Sequence, residues 1–483
     1  MMKNILAALC LLLVTAEYLP AQSISAHKEL AVEKADALTP QINSCSTKLW
    51  EISETALKED DSAQYLEGIL KDHGFTVESS VAGLPTAFVA TYGSGKPVIG
   101  ILAEYDALPG VGNAPVPRRQ PREDGKKTGQ GCGHNLFGSA SVYGGIAAKQ
   151  VMEQKGLKGT IKVYGTPAEE TVVGKVYMAK AGLFDDLDAA IHWHPSTSTK
   201  TSFDASLAMN NFEVEFFGQA AHGAADPWNG RSALDAVELM NYAVNQMREH
   251  VRPTARIHYV IPNGGEAPNV VPEYAKVWYY VRDINRERVE SNYQRVLKIA
   301  EAAALATETE HKVFLITGVH EVLFNRTLAE AMHRNLKKVG PPNFTGEEQE
   351  FARELQKNLG KKPKGFSTDI EPLPDSLSPP SRGSTDVAEV SYIVPTVGFR
   401  VASAPQDVPW HSWATTASHN TSGGKKSAVI AAKVIGMSAI ELLLDQKLLD
   451  QAWKEFRKQR GGEPYESPIP EDQAPPLPDK SSD

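Results

Sequence analysis

Residues 206–320 carry a pattern that their flanks do not share, and this discontinuity limits the architecture more than any other feature of the chain. Within the block, 208–217 alternates like a strand, 233–250 has helical spacing, and 256–260 and 276–282 are again strand-like. Residues 288–306 read as a second helix and 312–317 as a last strand. That order, strand-helix-strand-strand-helix-strand, predicts a ferredoxin-like α+β module. On the N-terminal side, 86–91, 98–103 and 160–164 read as short buried strands, with a small-residue helix over 136–154. A strand at 396–400 and an apolar helix at 428–444 resume the theme afterwards. Strands alternating with helices predict an α/β sheet covered on both faces. We therefore read one α/β domain in two parts, 22–205 and 321–462, interrupted by an inserted module at 206–320. Helices are expected within 27–72, a loop at 109–131, and disorder in the proline-rich stretch 463–483.

The 483 residues carry a formal net charge of −9, which argues against a bulk nucleic-acid binder. Hydrophobic residues at 41% and charged residues at 23% exclude a mainly disordered chain and a polytopic membrane protein. At the start, Lys3 precedes an apolar run from Ile5 to Val14, with small residues at Ala21 and Ser23. This is the layout of a signal peptide over 1–21, so a secreted or periplasmic protein, free of the membrane after cleavage, is expected. The run is about half the ~20 residues that a transmembrane helix needs. Cys10 leaves with the signal, so Cys45 and Cys132 allow at most one disulfide, and the core must hold the fold.

Four short clusters carry the chemistry. Gly131-Cys132-Gly133-His134 offers a thiolate and an imidazole two positions apart, both good ligands for zinc-like metals. Glu169 and Glu170 follow a buried strand, so one can bind a metal while the other moves protons. His192 and His194 share one face of a strand. His411 lies between Trp410 and Trp413, with His419 close behind. Each cluster also has an ordinary reading: a glycine-rich turn, an acidic helix start, a core histidine, an aromatic surface loop. Together they supply what a metal hydrolase needs, each near a predicted strand end. The glycine spacing in 131–138 is wrong for a dinucleotide fingerprint.

These motifs, with Gly218-Gln219-Ala220-Ala221-His222, resemble the di-metal amidohydrolases and exopeptidases of the aminoacylase and carboxypeptidase G type. Residues 103–109 (Ala-Glu-Tyr-Asp-Ala-Leu-Pro), Asn269-Val270-Val271-Pro272, Gly383-Ser384-Thr385-Asp386 and Trp410-His411-Ser412-Trp413 are similar to its aminobenzoyl-glutamate utilization protein B branch. The likeness spans nearly all of the mature chain except the loops expected at 110–128 and 341–380 and the proline-rich tail. It implies a zinc-exopeptidase-like mixed-sheet catalytic domain with an inserted lid and dimerisation domain. It further implies one or two divalent ions (Zn, Mn or Co) held by Cys132, His134, Glu170, His194 and His411, with Cys132 as a bridge. Glu169 becomes the general base and acid, and His222 the oxyanion stabiliser, often reaching across a homodimer. Asn269 and Arg282 grip a substrate carboxylate, for which a guanidinium is suited. Peptidase branches open with His-x-Asp, but Leu102-Ala103-Glu104 stands at that place, so the usual first histidine ligand is missing. His134 is taken to compensate, with Glu104 and Asp106 as outer carboxylates that orient ligands.

The expected reaction is metal-dependent hydrolysis of an amide next to a free carboxylate, as in aminobenzoyl-glutamate or an N-acyl amino acid. A dipeptidase or carboxypeptidase of the same family is the alternative. A cysteine hydrolase built on Cys132 leaves Glu169 and Glu170 without a role. A degenerate periplasmic binding relative predicts no hydrolysis at all. The basic loop with Arg118, Arg119, Arg122, Lys126 and Lys127 either attracts an anionic substrate or is simply solvated.

Overall fold

The computed structural model describes residues 21–377 and 383–478. The apolar start proposed as a signal, up to residue 20, lies outside the described residues. The strands, in chain order, are β1 (Thr76–Ser79), β2 (Phe88–Ser94), β3 (Val98–Ala103), β4 (Gly159–Gly165), β5 (Ala189–Ser196) and β6 (Lys200–Thr201). They continue as β7 (Ala208–Phe217), β8 (Arg256–Asn263), β9 (Tyr274–Asp283), β10 (Glu310–Val319) and β11 (Thr396–Ala402).

Seven of them form one mixed sheet in the order β1-β2-β4-β3-β5-β11-β6. Its centre, β4-β3-β5-β11, is parallel, and β1, β2 and β6 close the edges antiparallel. All six residues of β3 are buried, as an unbroken apolar run predicts for a strand covered on both faces. The helices His134–Lys155, Ser422–Leu444 and Ala21–Ala37 pack together over one face. Ser422–Leu444 is apolar and long enough to cross a membrane by composition, yet its apolar window is 78% buried within the protein, as a core helix is.

The inserted block folds as expected for a ferredoxin-like unit. Strands β7 to β10 form an antiparallel sheet in the order β10-β7-β9-β8. Helices Ala233–Met247 and Arg286–Thr307 cover it, opened by Ser232 and Asn285 side chains that accept the Asp235 and Arg288 amides.

Three details depart from the sequence reading. The 341–380 segment contains a helix, Gly346–Asn358, started by a reciprocal Thr345 and Glu348 capping box. The proline-rich tail is not disordered over 463–478: Ile469 is 4% exposed, and Gln473 donates to the Leu315 and Tyr177 oxygens. Proline-rich backbone is already extended and loses little entropy on docking, so few contacts suffice. Arg122 and Lys126 are not simply solvated: they donate to the Trp50, Glu51 and Ile52 carbonyls at the end of helix Thr39–Ile52. Cationic groups suit a helix C-terminus. Cys45 and Cys132 are both free and buried.

Candidate metal centre

The C-terminal ends of the parallel strands deliver the chemistry to one place, as open α/β sheets do. Glu104 and Asp106 follow β3, Glu169 and Glu170 follow β4, His192 and His194 lie on β5, and the chain leaving β11 brings His411. Cys132 and His134 arrive at the start of helix His134–Lys155. Gly133 between them has φ +87, and a Cβ there would stand 2.9 Å from both the His419 ring and Pro195. Only glycine permits that turn. The Glu169–Thr171 turn is strained, flanked by left-handed Ala168 (φ 56) and β-branched Val172 (φ 60). Its neighbours hold it: Glu59 accepts the Ala168 amide at 2.8 Å and Thr317 donates to the Val172 carbonyl at 2.6 Å.

The five side chains assigned as ligands converge. Donor atoms of Cys132, His134 and His194 lie within 4.8 Å of one another, as do those of Cys132, Glu170 and His411. Cys132 thus belongs to both groups. Its Sγ is 3.4 Å from His194 Nε2, and Glu170 Oε2 is 3.4 Å from His411 Nε2. His134 Nδ1 meets Asp106 Oδ1 at 2.8 Å, and His194 Nδ1 meets the Pro195 carbonyl at 2.6 Å. Those bonds turn both Nε2 atoms toward the cluster. The other Asp106 oxygen accepts the Glu170 amide at 2.8 Å, tying the acid turn to His134. Glu104 Oε2 faces His134 Nε2 at 3.3 Å, and Glu169 Oε2 stands 4.0 Å from the same atom. The Trp410 indole donates to Cys132 Sγ at 3.3 Å.

Burial alone depresses the His134 imidazole, yet Cys132 and Asp106 outweigh it and hold the group well above the ordinary histidine value. Burial, aided by Asp106 and Glu104, pushes Glu170 up to about 7 against the pull of His134. Burial and then Glu104 and Asp386 raise Glu169 well above the carboxylate range. His194 is driven down by burial and His134, leaving a neutral imidazole. These residues fit a divalent ion. His134 Nε2, Glu170 Oε1 and Glu104 Oε2 are buried with no hydrogen-bond partner. Bonds of about 2.0–2.3 Å imply tetrahedral ligand spacings of roughly 3.3–3.8 Å, which the closest donor pairs match.

The cluster forms the floor of a cavity of about 620 Å³ that also reaches Arg282, Tyr280 and the Gly383-Ser384-Thr385 loop. The Arg282 guanidinium has no hydrogen bond or ion pair among the described residues, though it lies 5.2 Å from the centre of the Tyr280 ring; its Nε is buried without a hydrogen-bond partner, and burial lowers its pKa. His222 and Asn269 lie elsewhere. They meet on an exposed face of the inserted unit, where Gly223 donates to the Asn269 carbonyl at 2.9 Å. Within one chain, neither lines the cavity. Sequence reasoning missed Lys175 and Arg400, the first a buried lysine behind Glu104, the second a cavity guanidinium on β11. A lone lysine in a short helix and an arginine in a strand have no distinguishing spacing.

His419 takes the ordinary reading. Its ring bonds the Gln130 carbonyl at 2.7 Å and the Ser403 hydroxyl at 3.3 Å, bracing the Cys132 loop. Burial holds it down at about 4, and His192 down at about 3. The unfolded chain takes up these protons below about 6.5, whereas the folded chain does so only near 4 and 3. More protons bind the unfolded state in that window, so stability falls as pH drops through it. Thermal melts from pH 7 to 4 should show this slope, and it should be shallower in His419→Gln. An identical slope in the variant overturns the assignment.

Comparison with known proteins agrees with this geometry. The peptidase dimerisation domain of the M20 family matches residues 208–308, the inserted unit. The chain is 37% identical to one of the polypeptides of p-aminobenzoyl-glutamate hydrolase from Escherichia coli over 453 residues, covering 89% of this chain and 94% of that one. It is 28% identical to the Xaa-Arg dipeptidase of Mus musculus, covering 91% of this chain and 95% of that protein. Among solved structures, an aminobenzoyl-glutamate utilization protein from Klebsiella pneumoniae shares the fold, with TM-score 0.59 and 16% identity over 85% of this chain and 97% of that one. A dinuclear metal-binding M20 peptidase from Bacillus subtilis does so with TM-score 0.51 and 18% identity, covering 83% of this chain and 99% of that one. By sequence across nearly its whole length, by fold, and by the donor set at its strand ends, this chain is a metal-dependent hydrolase and belongs to the M20 family of peptidases and amidohydrolases.

Proposed function

We propose that this protein hydrolyses an amide bond whose amine half carries a free carboxylate. One observation carries the reading: Glu169 and four of the five donor residues, Cys132, Glu170, His194 and His411, line a single cavity with the Arg282 guanidinium, which has no ion pair among the described residues. Aminobenzoyl-glutamate and an Xaa-Arg dipeptide, named for two relatives, each place a carboxylate next to the amide.

In this reading Cys132, His134, Glu170, His194 and His411 hold one or two ions of zinc, manganese or cobalt. A divalent ion there supplies Lewis acidity and makes water a nucleophile near neutral pH. Glu169 takes the proton from the attacking water and hands it to the leaving amine nitrogen. Its raised carboxyl suits both steps, because a base working near neutrality must also be able to hold a proton. Asp106 fixes the His134 ring. Arg282 binds the substrate carboxylate in bidentate fashion and sets the distance from that carboxylate to the scissile carbonyl.

His222 acts across a homodimer, donating to the oxyanion of a neighbouring copy, and Asn269 beside it helps to grip the substrate carboxylate there. Their exposure on a domain of the dimerisation type supports this, as do Tyr242 and Val260, exposed at 64% and 57% on the same unit. A strictly monomeric, fully active protein overturns it. Lys3 and the apolar run after it support export, and a mature chain beginning at Met1 overturns that.

The deciding experiment offers metal-loaded protein aminobenzoyl-glutamate, folyl-glutamate, N-acyl amino acids and dipeptides beside their carboxamide analogues. Hydrolysis should require the free carboxylate. Arg282→Met should raise KM for carboxylate substrates by about 10- to 100-fold, the cost of a lost charged hydrogen-bond pair, with little change in kcat. Equal turnover of acids and carboxamides by the natural protein defeats the reading.

A further inference from the structure

Behind the donor cluster lies a lysine that the mechanism above leaves unused. Lys175 is 0% exposed, near the start of helix Gly174–Lys180. Its Nζ stands 2.7 Å from Glu104 Oε1 and 2.6 Å from Asp386 Oδ1, both carboxylates being equally buried. The Lys175 amide also donates to Asp386 Oδ2 at 2.9 Å. Glu104 therefore has one oxygen held by the ammonium, while the other, with no hydrogen-bond partner, faces His134 Nε2 at 3.3 Å. The same carboxylate lies within 4.8 Å of Glu169. At the other end, Asp386 closes the Gly383-Ser384-Thr385 loop that lines the cavity opposite Arg282.

Such a triad is a poor way to gain stability. Desolvating three charges costs several kcal/mol per ion, and buried triads are often replaced by apolar groups without loss. A chain that needed only packing here would place leucine or methionine.

We propose that Lys175 is a positioning residue: clamped by Asp386, it holds Glu104 by one oxygen, out of the metal ligand set and aimed at His134 and Glu169. The clamp matters because Glu104 stands close enough to compete as a ligand. Released, both of its oxygens could turn into the cluster. Held, it presents one fixed oxygen beside the base.

The inference rests on the amide-hydrolase reading, and its test separates the two. If the natural metal-loaded protein cleaves none of the carboxylate-bearing amides, that reading fails first. Given activity, Glu104→Gln keeps the Lys175–Asp386 pair and the side-chain size. It should fold, retain natural metal content by elemental analysis, and lose about 100-fold in kcat with KM nearly unchanged. Lys175→Met alone strands two carboxylates and is expected to unfold. The neutral triple Glu104→Gln, Lys175→Met, Asp386→Asn strands none, and should melt near the natural temperature with full metal content. Its kcat should match that of Glu104→Gln alone, because Lys175 acts through Glu104 and coupled sites are not additive. Should the triple not fold, Lys175→Arg serves instead: retaining the cation, it should keep metal content and lose less kcat than Glu104→Gln. Three results overturn the proposal: full activity in Glu104→Gln, loss of metal from it, or a triple that recovers natural kcat.

Discussion

Glu169→Gln is expected to lower kcat by about 10²- to 10⁴-fold, the range for a positioned general acid-base group, with metal content unchanged. The substitution preserves shape and removes only the capacity to take and return a proton. Glu169 is suited to expose that loss, because its side chain is 12% exposed and its contact with His134 Nε2 is long, at 4.0 Å. Its carboxyl is raised by burial and by Glu104 and Asp386. The acidic limb that Glu169 gives the natural pH-rate profile should disappear in the variant. Single-turnover kinetics with metal-loaded protein, beside elemental analysis, give both readouts. Activity above about a tenth of natural assigns the proton transfer to another group.

Chelation should abolish turnover, and Mn²⁺, Zn²⁺ or Co²⁺ should restore it. The donor set explains the completeness of the loss: His134 Nε2 and Glu170 Oε1 are buried without a hydrogen-bond partner, as atoms that bind a cation would be. A ligand that binds only the folded state stabilises it, by about 2.7 kcal/mol at a hundred times its Kd. Removing the ion should therefore also lower the melting temperature, a second readout that does not depend on catalysis. His194→Ala should mimic chelation, without recovery on adding metal. Activity that survives chelation but is lost on alkylation of Cys132 moves the chemistry to the thiol. Burial and Glu170 raise that thiol, which without a metal makes it a poor nucleophile.

The layout is legible wherever periodicity and spacing carry it. The strand and helix patterns of 206–320 stand out because each element is amphipathic, half buried against its own small core. The motifs at 132–134, 169–170, 192–194 and 410–413, each ordinary by itself, become legible together because they supply one metal-hydrolase set near predicted strand ends. What resists reading depends on contacts distant in sequence. Lys175 meets Asp386 211 positions away. Arg122 caps a helix 72 positions before it. Asp106 and Glu104 both read as outer carboxylates, but which one orients His134 is a matter of ångströms: Asp106 holds Nδ1, whereas Glu104 looks at Nε2. The proline-rich tail misleads because composition measures the absence of a core, and a segment can dock on a core it does not build.

That tail crosses a joint. Gln473 donates to the Leu315 carbonyl on β10, while the Lys180 ammonium on the helix beyond Lys175 donates to the Gln473 carbonyl at 2.7 Å. Pro468 lies against Gly318, and Pro475 against Gly83. The inserted unit, joined to the rest by two covalent links, thus gains a third attachment through the tail, made outside the catalytic cavity.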